Sequence, residues 1–272
     1  MAELHTDGLR VYYERRGSGP PLLLLNGSGA TLATSGMLLD LFTSRFDVAA
    51  HDQRGLGRTD VPSGPYSMAD YAHDAVALLD ALAWERVRVV GISFGGMVAQ
   101  ELAATFPDRV ARLALVCTSP GGASASYPLH ELADLTPDAR AALRPQLLDT
   151  RFTPEWLAAH EGDRRLAAMM ADRETAPAGS ERARGEIEQL RARAGHDVLD
   201  RLGAITCPTL VASGRYDGIA PVANGEAIAQ RVPNAELRVY EGGHAFFAQD
   251  PGALPEILDF LAAAAPPVFA GP

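Results

Sequence analysis

The fold is decided by residues 87–100, which read Val87-Arg88-Val89-Val90-Gly91-Ile92-Ser93-Phe94-Gly95-Gly96-Met97-Val98-Ala99-Gln100. A run rich in β-branched residues leads into Gly-x-Ser-x-Gly, and a helix-forming run follows directly. This is the strand–turn–helix context of a nucleophile elbow, in which a sharp turn holds the serine in a strained backbone conformation. Gly91 and Gly95 would let strand and helix approach closely. The pattern predicts that the Ser93 hydroxyl stands clear of a sheet, beside the N-terminus of the next helix.

Length and composition fit one α/β domain with an inserted segment, since the chain has 272 residues, of which 47% are hydrophobic and 21% charged. The net charge of −10 argues against nucleic acid and anionic membranes as partners. The first residues do not resemble a secretory signal, and no apolar run reaches transmembrane length. We therefore expect a cytoplasmic protein that acts on a small molecule. The oligomeric state is left open.

All 24 basic residues are arginine, and the chain has no lysine. This excludes a Walker P-loop, a protein-kinase site and Schiff-base or pyridoxal-phosphate chemistry, because each needs a lysine amine. Cys117 falls at the end of one predicted strand and Cys207 before the start of another, which are opposite edges of a parallel sheet and too far apart for a disulfide. We expect both to be packing residues. No metal-ligand spacing is present, so neither a metal nor a cofactor is expected.

Strands and helices alternate along most of the chain, which predicts a mostly parallel, twisted sheet with helices on both faces. A hairpin is expected over residues 2–16, turning at Asp7-Gly8. The predicted later strands are 21–25, 46–50, 87–91, 112–117, 209–213 and 236–240. The predicted helices outside the insertion are 67–82, with Ser67 and Asp70 as a capping pair, 94–105, 226–231 and 252–265.

The alternation breaks between residues 121 and 203, where only helical signals and loops occur. Thr136 and Thr153, each followed by proline, are typical helix N-caps, and 180–194 is an amphipathic helix. We expect a core of residues 1–121 and 204–265, a helical cap of residues 122–203 over the carboxyl edge of the sheet, and a disordered tail, 266–272.

A serine nucleophile needs a base within hydrogen-bond reach and an acid that orients the base. In an elbow architecture these partners follow in the order acid and then histidine, each in a loop after a strand. Asp217 follows strand 209–213 and His244 follows strand 236–240, which makes Ser93, Asp217 and His244 the candidate catalytic residues.

The remaining candidates surround this predicted triad. The backbone N–H groups of Phe94 and Ser28 are the expected oxyanion donors, although the loop could be only a tight turn. Asn26, Gly27, Trp156 and His196 are the candidate substrate-pocket residues. His51 is expected to be a hydrogen-bonded structural residue. The surface histidines are expected to be His5, His73, His130 and His160.

On these residues the chain resembles the α/β-hydrolase superfamily, and within it most closely the 3-oxoadipate enol-lactonases and related small esterases. The motifs that carry the resemblance are Asp52-Gln53-Arg54-Gly55-Leu56-Gly57, Gly64-Pro65-Tyr66-Ser67, Gly91-Ile92-Ser93-Phe94-Gly95-Gly96, Phe106-Pro107-Asp108-Arg109-Val110, Cys207-Pro208-Thr209-Leu210-Val211, Arg215-Tyr216-Asp217 and Gly242-Gly243-His244. The resemblance implies an α/β-hydrolase fold and a serine hydrolase that cleaves an ester or lactone through an acyl-enzyme. Two positions depart from the family pattern: Asn26 stands where most members have His, and Thr59 stands where Ser is usual.

Other functions remain open at this point. A C–C bond hydrolase of a vinylogous diketone would use the same triad, and acyl transfer or perhydrolysis would use the same acyl-enzyme. A catalytically silent protein of this fold would act in binding alone. Gly27-x-Gly29 after a strand, with Asp52 downstream, also resembles the start of a dinucleotide-binding fingerprint, but Leu32 stands in place of its third glycine.

Overall fold

The computed structural model describes residues 2–6, 8–171 and 180–264. Its strands are β1 (Ala2–Thr6), β2 (Leu9–Gly17), β3 (Pro21–Leu25), β4 (Asp47–His51), β5 (Val87–Ile92), β6 (Val110–Val116), β7 (Thr209–Gly214) and β8 (Ala235–Tyr240). In the described residues they form one eight-stranded sheet, ordered β1-β2-β4-β3-β5-β6-β7-β8. The hairpin β1–β2 and the pair β2–β4 are antiparallel, and all other neighbours are parallel.

Helices connect the parallel strands. They are α1 (Leu32–Thr43), α2 (Met68–Ala81), α3 (Phe94–Thr105), α4 (Pro137–Leu148), α5 (Pro154–Ala159), α6 (Glu161–Ala171), α7 (Glu181–Ala194), α8 (Val222–Ala229), α9 (Phe246–Gln249) and α10 (Ala253–Ala262). Helices α4 to α7 all lie between β6 and β7 in the chain, where the sequence predicts an insertion. Residues 122–203 are called the β6–β7 insert below; their limits and their role as a cap remain predictions.

Two hydrophobic cores cover the two faces of the sheet, as the alternation in β3 illustrates. Leu23 and Leu25 pack with residues of α2 and α3, whereas Leu22 and Leu24 pack with residues of α1 and α10. Successive side chains of a strand point to opposite faces, so a continuous apolar strand needs cover on both. The mostly parallel sheet with helices on both faces is therefore confirmed.

Helix N-termini follow the capping signals in the sequence. Ser67 and Asp70 form a capping box at α2, and the side chains of Thr136, Thr153 and Ser180 each accept a backbone N–H at the start of α4, α5 and α7. These caps satisfy N–H groups that a helix leaves unpaired in its first turn.

The structure differs from the sequence prediction in several details. Strand β4 lies one residue later than predicted, and β6 spans 110–116 rather than 112–117. The bounds of α1 were not predicted, and this helix is interrupted at Ser35, whose φ of −119° and ψ of 16° are not helical. Helix α10 ends at Ala262 rather than near residue 265. Asp7 and the predicted disordered tail lie outside the described residues.

In the part of the chain that the structure describes, no helix has both the length and the apolarity needed to cross a membrane. Cys117 and Cys207 are both free and buried.

Candidate active site

Ser93 occupies the sharp turn between β5 and α3. Its backbone has a φ of 54° and a ψ of −114°, a strained conformation for a residue with a side chain. The turn is tight because glycines stand where Cβ atoms would clash. A Cβ on Gly91 would lie 2.4 Å from the Gly95 oxygen, and a Cβ on Gly95 would lie 2.0 Å from the Leu25 oxygen.

Three predicted site residues come together at the carboxyl edge of the sheet. His244 Nε2 lies 2.9 Å from Ser93 Oγ, and His244 Nδ1 lies 2.8 Å from Asp217 Oδ2. The Asp217 side chain is fully buried, and that of His244 is 12% exposed. These are the distances of a connected serine–imidazole–carboxylate chain.

Backbone donors fix the orientation of Asp217. Its Oδ1 accepts the N–H groups of Ile219 and Ala220, both at 2.8 Å, which leaves Oδ2 directed at His244. Two backbone N–H bonds to one oxygen hold the carboxylate group in a fixed orientation. The backbone of the loop after β7 thus orients the acid toward His244.

The environment of His244 favours a charged imidazole. Burial lowers its pKa, but the Asp217 carboxylate and the adjacent Cys117 side chain raise it by more, so the pKa of His244 rises from 6.5 to about 10. Cys117 directly follows β6 and has a φ of 44°.

The loop that follows β3 lies against Ser93. A Cβ built on Gly27 would be 3.6 Å from Ser93 Cβ, which places this backbone beside the serine. Phe94 is the first residue of α3, and the N–H groups of a first helical turn have no partner within the helix. Ser28 follows Gly27 in the same loop. Their roles as oxyanion donors stay predictions.

The predicted pocket residues occupy different surroundings. Asn26 is 1% exposed at the end of β3. Trp156 packs on a small hydrophobic cluster of the β6–β7 insert that includes Ala245, the residue after His244. His196 is buried beside a cavity of about 290 Å³ that Glu101, Arg191 and Arg201 also line. No triad residue lines that cavity, so the position of His196 gives no support to its predicted contact with substrate.

The four histidines expected at the surface are all exposed. His51 differs from expectation. It is buried at the end of β4, but its Nδ1 has no hydrogen-bond partner within the described residues, so it is not a fully hydrogen-bonded group. Burial lowers its pKa to about 4.

Asp52 serves the architecture of the turn after β4. Its Oδ1 accepts the Leu32 N–H at 2.6 Å, and its Oδ2 accepts the Arg58 N–H at 2.9 Å. Thr59 substitutes for the usual serine, since its Oγ1 donates to the Asp52 carbonyl at 2.5 Å and accepts the Tyr12 N–H at 2.9 Å. Because both carboxylate oxygens of Asp52 are bonded to the backbone, Asp52 is not a ribose-binding residue. The dinucleotide-binding interpretation requires such an acidic residue and is therefore not supported.

Sequence reasoning missed two residues of α7 that reach toward the site. Gln189 Oε1 accepts the Gly29 N–H at 2.7 Å. Arg193 is buried and donates to the Tyr127 carbonyl and to Ser126 Oγ. Burial lowers the pKa of Arg193 to about 10, an effect that the Asp217 charge opposes. The sequence offered little signal for these two residues, because both are polar and stand in a polar helix. The helical period alone could not show which face of the helix met the core.

Among the described residues, no group of three or more His, Cys, Asp or Glu side chains is placed to hold a metal ion.

An eight-stranded, mostly parallel sheet with a serine elbow and a histidine after the last strand defines the α/β-hydrolase class. A family model described as alpha/beta hydrolase fold matches residues 20–251. The chain belongs to this family, and hydrolase activity is the function that membership supports.

Individual relatives span most of the chain. A protein of Variovorax paradoxus provisionally named carbamate hydrolase RutD is 34% identical over 94% of this chain and 98% of its own length. The 3-oxoadipate enol-lactonase 2 of Acinetobacter baylyi is 31% identical over 86% of this chain and 85% of its own. The crystal structure of a hydrolase from Pseudomonas aeruginosa matches with a TM-score of 0.74 and 31% identity, covering 96% of this chain and 98% of the other.

Proposed function

We propose that the protein is a serine hydrolase that cleaves a carboxylic ester or lactone of a small molecule through an acyl-enzyme on Ser93. The observation that carries the proposal is the 2.9 Å separation of Ser93 Oγ and His244 Nε2, continued by the 2.8 Å contact of His244 Nδ1 with Asp217. The name of the enol-lactonase relative supports the lactone class.

In the first step, Ser93 Oγ would attack the substrate carbonyl while His244 Nε2 takes the hydroxyl proton. Asp217 would stabilise the imidazolium that forms. The backbone N–H groups of Phe94 and Ser28 would stabilise the negative charge on the tetrahedral oxygen by hydrogen bonds. Collapse would expel the alcohol, which takes the proton from His244 and leaves the acyl group on Ser93.

In the second step, water would attack the acyl-enzyme carbonyl and give its proton to His244. The new tetrahedral intermediate would release the carboxylic acid and return the proton to Ser93 Oγ. One ester bond and one water molecule are consumed, and the enzyme is regenerated. In a lactone the alcohol and the acid remain in one product molecule.

The β6–β7 insert is proposed as the cap that closes over this site. Leu148, Phe152 and Trp156 of the insert pack with Ala245, next to His244. Exclusion of water by such a cover strengthens the electrostatic interactions of a catalytic site. The cytoplasmic location, and the absence of nucleic acid from the partners, stay predictions from the sequence.

The decisive experiment measures hydrolysis of p-nitrophenyl esters, lactones, carbamates and vinylogous diketones by the wild type and by Ser93→Ala. Removal of a triad nucleophile costs on the order of 10⁶ in kcat, and mass spectrometry should find an acyl adduct on Ser93 only in the wild type. Ser63→Ala, at an exposed loop position, is the matched control. A loss below tenfold for Ser93→Ala on the best substrate would refute the mechanism, and turnover of diketones alone would refute the substrate class.

A further inference from the structure

Three amide side chains gather around the loop that follows β3, and each is only 1% exposed: Asn26, Gln53 and Gln189, called the amide cluster below. Gln53 Nε2 donates to the backbone carbonyl of Asn26 at 2.8 Å. Gln189 Oε1 accepts the backbone N–H of Gly29 at 2.7 Å. Residues from β3, from the loop after β4 and from the β6–β7 insert therefore meet on one short stretch of backbone.

Four of the six polar ends of these side chains are unused. Asn26 Nδ2 and Oδ1, Gln53 Oε1 and Gln189 Nε2 are buried and have no partner within the described residues. A buried polar group without a partner costs about 1–3 kcal/mol, and buried groups in proteins are almost always paired with protein, water or ligand.

The identity of the unused atoms follows from the used ones. Gln189 must present its oxygen to the Gly29 N–H, so its NH₂ group is the free end. Gln53 must present its NH₂ group to the backbone carbonyl of Asn26, so the side-chain oxygen of Gln53 is the free end. Asn26 offers one oxygen and one NH₂ group in either orientation. The cluster thus offers two acceptor oxygens and two NH₂ donors.

No net charge accompanies these amides. On either side of Gln53 the charged residues are already paired: Asp52 with two backbone N–H groups, and Arg54 with the Asp74 carboxylate at 2.6 and 2.7 Å. Arg193, one turn after Gln189 on α7, already donates to the Tyr127 carbonyl and to Ser126 Oγ. The amide ends themselves carry no charge, so a carboxylate or an ammonium bound by them alone would leave its buried charge unbalanced. A neutral ligand that both donates and accepts matches the cluster.

We propose that the amide cluster is a subsite for a neutral hydroxyl or carboxamide on the acyl half of the substrate. The assignment to the acyl half follows from Gly27, where an added Cβ would lie 3.6 Å from Ser93 Cβ, so that this loop flanks an acyl group bonded to the serine. A carboxamide, with two N–H groups and one carbonyl, would use both acceptors and both donors. This inference rests on the proposed function for the position of the acyl group.

The test compares four p-nitrophenyl esters on the wild type, on Asn26→Ala and on the exposed control Asn234→Ala. The 3-hydroxypropanoate carries a hydroxyl and the succinamate a carboxamide. The butanoate carries a methyl and the hydrogen succinate a carboxylate, in each case two methylenes from the ester carbonyl. Each kcat/KM of a variant is divided by that of the wild type on the same ester, so that the intrinsic reactivity of the ester cancels, including the intramolecular carboxylate attack open to the hydrogen succinate.

The wild type and Asn234→Ala should prefer the hydroxyl or the carboxamide ester over the butanoate by about tenfold or more, and should disfavour the succinate. Asn26→Ala should lose about tenfold of that preference, whatever it does to the rate on the butanoate. A general defect in folding or catalysis would lower all four rates together and leave the preference intact. The proposal would be overturned if Asn26→Ala kept the wild-type preference for the polar esters over the butanoate. It would also be overturned if the wild type showed no such preference, which would mean that water alone fills the cluster.

Gln189→Glu provides a second variant, because it keeps an acceptor for the Gly29 N–H and removes the free NH₂ group; it should reduce the preference in the same direction. Calorimetric binding of the hydroxypropanoate and butanoate esters to Ser93→Ala separates this proposal from the proposed function. If Ser93→Ala still turns over, the mechanism fails, whereas equal affinity for the two esters contradicts the subsite alone.

Discussion

The backbone N–H of His244 donates a 2.6 Å hydrogen bond to the carbonyl of Leu148, the last residue of α4. Gly243 lies so close to the same turn that a Cβ there would be 2.1 Å from the Leu148 oxygen. Thr150, two residues further, donates to the Tyr216 carbonyl at 2.8 Å, next to Asp217. The end of α4 therefore holds both loops that carry the base and the acid, and the β6–β7 insert is part of the framework of the site.

Replacement of Asp217 by Asn should lower kcat by about 10⁴ with a much smaller change in KM. Asn can still accept the Ile219 and Ala220 N–H groups through Oδ1, but its NH₂ group then faces His244 Nδ1 and favours the wrong tautomer. The lost interaction strengthens only as the imidazole becomes charged, so the effect falls on the transition state. Steady-state kinetics on the best ester provide the measurement.

Asp200→Asn and Asp250→Asn are the matched controls for this carboxylate. Asp200 is exposed, and Asp250 caps local backbone N–H groups at Glu241 and Gly252. Both variants should keep kcat within about threefold. A near-normal rate for Asp217→Asn with a collapse for either control would show that another carboxylate orients His244.

The pKa of His244 should lie above 6.5 in the folded protein, and Asp217→Asn should lower it. Because the base must be neutral, kcat/KM of the wild type should rise with pH through this raised pKa rather than level off near neutrality. An NMR titration of the imidazole, assigned by its absence in His244→Gln, measures the value directly. A wild-type pKa below 6.5, or no change in Asp217→Asn, would contradict the electrostatic role of Asp217.

The stability that His244 contributes has a defined sign. Its folded pKa is higher than its unfolded pKa, so the contribution is fully present below pH 6.5 and is lost as pH rises toward about 10. His51 and His196 behave in the opposite way, because burial lowers the pKa of each to about 4. Below pH 6.5 their unfolded forms bind protons that the folded forms exclude.

The free energy of unfolding should therefore fall with a slope of up to about 1.4 kcal/mol per pH unit for each of these two histidines as pH drops from 6.5 to 4. His196→Gln should flatten the slope by one such contribution, whatever it does to stability at neutral pH. His5→Gln, on the exposed side of β1, should leave the slope unchanged. Urea unfolding at several pH values gives the slopes, and equal slopes for the wild type and His196→Gln would refute the prediction.

The sequence predicted the sheet well because β3 is apolar on both faces and β5 and β7 are largely apolar, a pattern typical of strands in a covered parallel sheet. It also placed Asp217 and His244 after their strands, where the structure brings them to Ser93. The contribution of Gln189 could not be predicted in this way. Gln189 acts through a hydrogen bond to Gly29, far away in the chain, and such a contact leaves no local periodicity.

The interruption of α1 at Ser35 was equally hidden from the sequence. Asp52 bonds the Leu32 N–H at the start of this helix, and the Thr31 carbonyl accepts both the Ser35 N–H and the Ser35 hydroxyl. The conformation of the first turn of α1 is thus set by a tertiary contact rather than by local helix propensity. His51 shows the same limit, because its burial could be predicted but its unpaired Nδ1 could not.

Two Gly→Ala variants separate the elbow from an ordinary glycine. At Gly95 the new Cβ would meet the backbone of Leu25 at 2.0 Å and of Asn26 at 2.7 Å, and neither can move without displacing the loop beside Ser93. Overpacking against rigid backbone costs about 3 kcal/mol or more, which corresponds to roughly 6–12 °C in Tm for a chain of this size. At Gly36 in α1 no atom lies within 4 Å of the new Cβ, so the substitution should be neutral or stabilise by up to about 1 kcal/mol. Thermal unfolding compares the two, with complete loss of soluble Gly95→Ala counted as the extreme of the expected result. A Gly95→Ala protein as stable and as active as Gly36→Ala would mean that β3 and α3 are not in close contact at the elbow.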